Sequence, residues 1–197
     1  MKTLLASLAL IISLATITPA SAANWTQPVQ NAINSGDYDA INQIVAANPS
    51  AAGQIAMFII GKSQENLGEP DRAVKLLNVA VPLAAQIQSN QTEGAIKNLK
   101  SLLQLAGNQE FQSGHPKDAA QIYTAELSIL SLPNFANKDP KFQGIVVTEA
   151  DDFLKKNPGA DEKLKDDVSL AMGNDLNGVN PDIMTIRRRE RHEPSPE

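Results

Sequence analysis

The chain states one stretch twice, and that duplication narrows its fold more than any other feature. Gly61, Gly68, Pro70, Ala73 and Leu77 recur 46 residues later as Gly107, Gly114, Pro116, Ala119 and Tyr123. A Gly near the end of one helix, followed by a Pro in the first turn of the next, marks a helical hairpin. Two hairpins at one offset predict units that stack, because neighbouring repeats bury what one hairpin leaves exposed.

Apolar spacing supports helices on both sides of the repeat. From Pro70, Ala73, Leu76, Leu77, Ala80, Val81 and Ala84 recur at helical intervals, and Pro82 within them predicts a kink or break near Val81. Upstream, residues 25–34 and 38–46 read as two short helices, and Ser50 is placed to cap a third that reaches Leu67. Downstream, a helix over 93–112 pairs with one that Pro133 closes. Asp139-Pro140 then opens a helix, and Asn157-Pro158-Gly159 turns the chain into a last, more polar one. Acidic residues crowd this final pair, as expected of a capping unit. The expectation is about eight helices, no strand, and an all-α stack of antiparallel hairpins.

The ends differ from this body. A short positive start, an apolar run from Leu4 to Ile17 and the small residues Ala20-Ser21-Ala22 have the order of a secretory signal peptide over 1–22. The alternative, an uncleaved anchor, is disfavoured by a run that is short for a bilayer span. The helical domain is then expected over 23–173, followed by a polar, disordered tail over 174–197. Export and the absence of Cys together mean a core held without disulfides, and exclude thiol catalysis and thiolate metal sites. Without Lys2, 16 basic and 22 acidic side chains give a net charge of −6, which argues against nucleic acid as the main partner. Asn24 and Asn90 head glycosylation sequons, a pattern that short chains often carry by chance.

At the duplicated residues the chain resembles a tetratricopeptide repeat. That family's unit, two antiparallel helices over about 34 residues, favours small residues at its eighth and twentieth positions and a large apolar one at its twenty-fourth. Gly61 and Gly107, Ala73 and Ala119, and Leu77 and Tyr123 fill these places. Gln64 and Glu110 stand where the family usually has Tyr, Glu126 stands where Ala80 fits a small position, and the offset exceeds the family's period. The resemblance covers roughly residues 24–132. It implies a short α-solenoid whose first helices line a concave groove for a protein or peptide. The groove positions map to Phe58, Lys62, Glu65 and Asn66, and to Gln104, Asn108, Phe111 and Gln112. The opposing reading of Phe58 and Phe111 is core or edge packing, since large apolar side chains are usually buried.

Chemistry is sparsely signalled. No G-x-S-x-G elbow occurs. His115 falls in a turn and His192 in the tail, each without a second ligand at helical spacing, so His115 reads as a solvated turn residue and no cofactor or metal is expected. Glu149 with Asp152 is a conceivable carboxylate pair, but a solvated acidic face is the default. Asp175 to Asp182 looks like a calcium loop until Val179 and Ile186 are set against positions that need oxygen ligands. Arg187, Arg188, Arg189 and Arg191 form the one basic run, read as a solvated tail or a contact with the acidic body rather than a dedicated site.

These features favour an exported, periplasmic, non-enzymatic protein that binds a protein partner. The alternative is an exported helical enzyme or small-ligand protein acting on envelope material through one buried carboxylate of raised pKa. A structural subunit is the third reading.

Overall fold

A computed structural model describes residues 24–110 and 112–176, and the chain there is entirely helical apart from turns. The helices are α1 (Thr26–Ser35), α2 (Tyr38–Ala47), α3 (Ala52–Glu65), α4 (Pro70–Ala84), α5 (Thr92–Gln104), α6 (Pro116–Leu130), α7 (Pro133–Ala136), α8 (Pro140–Lys156) and α9 (Glu162–Leu176). Successive long helices pack as hairpins, most extensively α3 with α4. Across hairpins, α3 packs on α5 and α4 on α6, and α6 in turn meets α8 and α9. α6, which packs on α4, α5, α8 and α9, lies at the centre of the described core.

The turns obey the signals in the sequence. Gly36 ends α1 at φ 72°, a left-handed conformation that a side chain would strain. Asp37 accepts from the Ala40 N–H and Asp139 from the Phe142 N–H, each capping the helix that follows. Pro70, Pro116 and Pro140 occupy first turns, where a missing N–H costs nothing. The core is aliphatic: Ile55, Ile59, Ile60, Leu76, Leu77, Leu99 and Leu102 are fully buried, each contributing roughly 1.5–3 kcal/mol over an exposed position. At Gly53 the approach is so close that a β-carbon would sit 2.1 Å from the Gln86 carbonyl oxygen, so the start of α3 abuts the backbone after α4.

Several expectations are corrected. α4 runs unbroken through Pro82 to Ala84, because a proline so near the end of a helix removes one hydrogen bond without leaving a long segment to kink. Ser50 caps nothing; a 3₁₀ turn over Pro49–Ala51 leads into α3 instead. The helix expected over 93–112 is α-helical only to Gln104 and widens into a π-helical segment over Leu105–Glu110. The short α7 was hidden between two prolines. The last helix reaches Leu176, three residues past the expected end of the domain at 173. The signal segment over 1–22 and the Arg run at Arg187, Arg188, Arg189 and Arg191 lie outside the described residues. Among the described residues no single helix is long and apolar enough to cross a membrane.

Candidate functional site

The residues expected to line the groove sit on and just after α3 and α5. On α3, Phe58 is half-buried and packs against the edge of the core. Its ring meets Trp25 edge-on at 5.8 Å, and the Lys62 ammonium lies 5.4 Å from its centroid. Lys62 is also tied to Glu65 at 2.6 Å, while Asn66 turns back to donate to the Lys62 carbonyl at 2.6 Å. These four residues therefore largely satisfy one another. On the second unit Gln104 and Gln112 are exposed, whereas Phe111 and the side chain of Asn108 lie outside the described residues.

The better concavity lies one helix further on. Two adjoining hollows, of about 290 and about 380 Å³, run between α5 and α8 and share Lys100, Leu103 and Ile145. Gln104, the one groove residue of the repeat pattern to take part, and Gly107 complete one hollow on its α5 side. Phe142 lines the other. Lys100 braces this cleft: it bonds Asp139 at 2.6 Å across to the cap of α8 and lies 5.1 Å from the Phe142 ring centre. Burial works against the Asp139 charge, but the Lys100 and Phe142 hydrogen bonds prevail and hold its carboxyl below the ordinary range. Ile145 is 38% exposed, a large apolar side chain at the mouth. Ile145 was missed because the family pattern places the groove on first helices of units alone, whereas this cleft borrows a wall from α8; Lys100 and Leu103, on α5, precede the positions to which the pattern maps the groove.

Behind the cleft the second unit is unusually polar. A β-carbon on Gly107 would lie 3.1 Å from the Tyr123 hydroxyl, which presses on the π-helical segment from α6. Tyr123 is itself buried and packs on Phe153 at 5.8 Å. Burial, and then the carboxylates of Glu149 and Glu126, push its phenol far above the usual range. Glu126 is fully buried, and neither carboxyl oxygen has a hydrogen-bond partner. Burial raises its pKa well above the ordinary carboxyl value, so the neutral acid is the favoured form in this core. Glu126 nevertheless lines neither hollow.

The other acids behave as solvated faces do. Glu149 is exposed, and Lys155 sits between Asp151 at 2.9 Å and Asp152 at 3.4 Å. The Asp151 hydrogen bond leads the effects that raise the Lys155 pKa. His115, by contrast, is not merely a solvated turn residue. Its Nδ1 lies 3.0 Å from the Glu110 carboxylate, and Asp118 completes a cluster with both. Asp118 stands three residues after His115, at helical spacing, and was overlooked; Glu110 lay outside that spacing because a turn rather than a helix carries the chain from it to His115.

No family model, curated protein or solved structure matches the chain.

Proposed function

We propose that the protein is an exported, periplasmic interaction module whose α5–α8 cleft receives an apolar side chain from an extended or helical segment of a protein partner. The observation that carries this reading is the composition of the cleft. The apolar side chains of Leu103, Phe142 and Ile145 line it together with the polar Lys100, Gln104 and Glu149, the mixture of apolar and polar groups found in protein interfaces. Export is inferred from the leader-like order of residues 1–22, and the lack of Cys is compatible with it.

The enzymatic alternative has one observation in its favour, the buried Glu126. A general acid must reach a substrate proton, however, and Glu126 opens into neither hollow. The carboxyl is better placed to destabilise or switch the core than to act on envelope material, so binding is the preferred reading.

A photoreactive side chain at Gln104, in intact cells, should capture one envelope protein. Peptides from that protein should bind the purified chain, and Ile145→Asp should weaken them at least tenfold while leaving the helical spectrum intact. Binding that survives Ile145→Asp would remove the cleft from the interface. Capture of the protein's own tail or of a second copy would replace the adaptor reading with self-association.

A further inference from the structure

We propose that Glu110, His115 and Asp118 form a binding site for a divalent transition-metal ion, with zinc as the fitting probe. The proposal does not depend on the cleft. One ligand atom from each residue lies within 4.8 Å of the others. Zinc holds carboxylate oxygens and imidazole nitrogens at about 2.0–2.2 Å, so tetrahedral ligands sit roughly 3.3 Å apart. Rotamer changes alone can close that difference, because the His115 side chain is 56% exposed and Asp118 is partly exposed. Glu110 is the fixed member, with a side chain only 8% exposed.

Electrostatics favour a cation at this point. Glu110 ends the π-helical segment, where the backbone carbonyls already concentrate negative charge. Among the described residues His115 is its one ion-pair partner, and Asp118 brings a second carboxylate to the same spot. Zinc would neutralise both acids and replace the Glu110–His115 hydrogen bond with two ligand bonds. The imidazole selects for zinc over calcium or magnesium, which prefer oxygen alone. Three protein ligands leave a coordination position toward solvent, as in catalytic rather than structural zinc sites.

The hairpin does not need these residues to turn. In the first unit, Gln64, Glu69 and Arg72 occupy the matching positions, and the chain turns from α3 into α4 without a comparable cluster among the described residues. Arg72 there donates to the Ile33 carbonyl at 2.9 Å, fastening the end of α1. The second unit thus carries a ligand set that its folding alone does not call for.

The test uses the untagged chain, since a polyhistidine tag would itself bind metal. Competition against a chromophoric zinc indicator should reveal one equivalent bound at micromolar affinity. His115→Ala and Asp118→Asn should each weaken it at least tenfold, while His192→Ala leaves it unchanged. Cobalt in place of zinc should give a visible spectrum of nitrogen and oxygen ligands that His115→Ala abolishes. Both substituted side chains reach solvent, and a helical spectrum checks that each variant is folded. Zinc held no tighter than millimolar, or held equally by the His115→Ala and Asp118→Asn proteins, would overturn the site.

Discussion

The two copies of the repeat share a frame and differ in what they bury. In the first, α3 is regular to its end, and Leu77 and Ala80 fill the inner face of α4 with apolar atoms. In the second, the same positions hold Tyr123 and Glu126, and the leading helix relaxes into a π-helical end beneath the tyrosine hydroxyl. Widened helical turns recur at functional sites, where they make room for groups a regular helix would exclude. The first unit buries only apolar groups at these places. The second carries a buried acid, a buried phenol and a His–carboxylate cluster, and it borders the cleft.

The largest effect should come from making the first unit resemble the second. Ala80 is fully buried, so Ala80→Glu adds both volume and an unpartnered carboxyl to a close-packed site. We expect a loss of about 4 kcal/mol or more at pH 7, seen as a fall in the urea midpoint. An unchanged midpoint would mean that the α4 core is loose and the contrast between units unreal.

The reverse change should stabilise. Glu126→Leu replaces an acid with two unsatisfied oxygens by a side chain of similar size, and should add about 2 kcal/mol at neutral pH. Its pH signature is more telling. The folded chain holds the Glu126 proton to higher pH than the unfolded chain, whose glutamates titrate near about 4.3. Between those two values the native state binds more protons. Stability is then fully present below the window and falls as pH rises through it, by at most about 1.4 kcal/mol per pH unit. Asp139 acts in the opposite sense, because its lowered pKa gives stability that disappears as pH falls. The difference between parent and Glu126→Leu isolates the buried acid. Parallel pH profiles would show that Glu126 is not buried in solution.

Much of the frame was legible in the sequence, because hairpins are punctuated by residues with strong backbone preferences. Gly36, Pro70, Pro116 and the Asp139-Pro140 pair each stand where a helix ends or starts. The all-α class followed from these and from the apolar stripes. The misses came where tertiary packing chose between local options. Pro82 reads as a break, yet it falls too close to the end of α4 to bend it. The π-helical segment has no letter of its own, since Leu105 to Glu110 suits a regular helix equally well. Glu126 could be seen as a misfit in the repeat, but only the contacts of α6 on α4, α8 and α9 make it buried. The α5–α8 cleft was not foreseen for the same reason, because α8 lies outside the repeat that suggested the groove.

The finest test of the contrast lies in the paired glycines. A β-carbon on Gly61 would meet the Asn98 side-chain nitrogen at 3.5 Å, an ordinary contact, so Gly61→Ala should gain up to about 1 kcal/mol from helix propensity. On Gly107 it would lie 3.1 Å from the Tyr123 hydroxyl, and that ring is held by burial and by Phe153. Gly107→Ala should therefore lose about 1 kcal/mol despite the same propensity gain. Removing the hydroxyl separates the two terms. In a Tyr123→Phe background, Gly107→Ala should become neutral or stabilising, a coupling of about 1–2 kcal/mol in a double-mutant cycle. Zero coupling would assign the glycine to the π-helical backbone rather than to the tyrosine. The second unit's departure from the first would then begin in its main chain, with Tyr123 merely filling the space that the widened turn leaves.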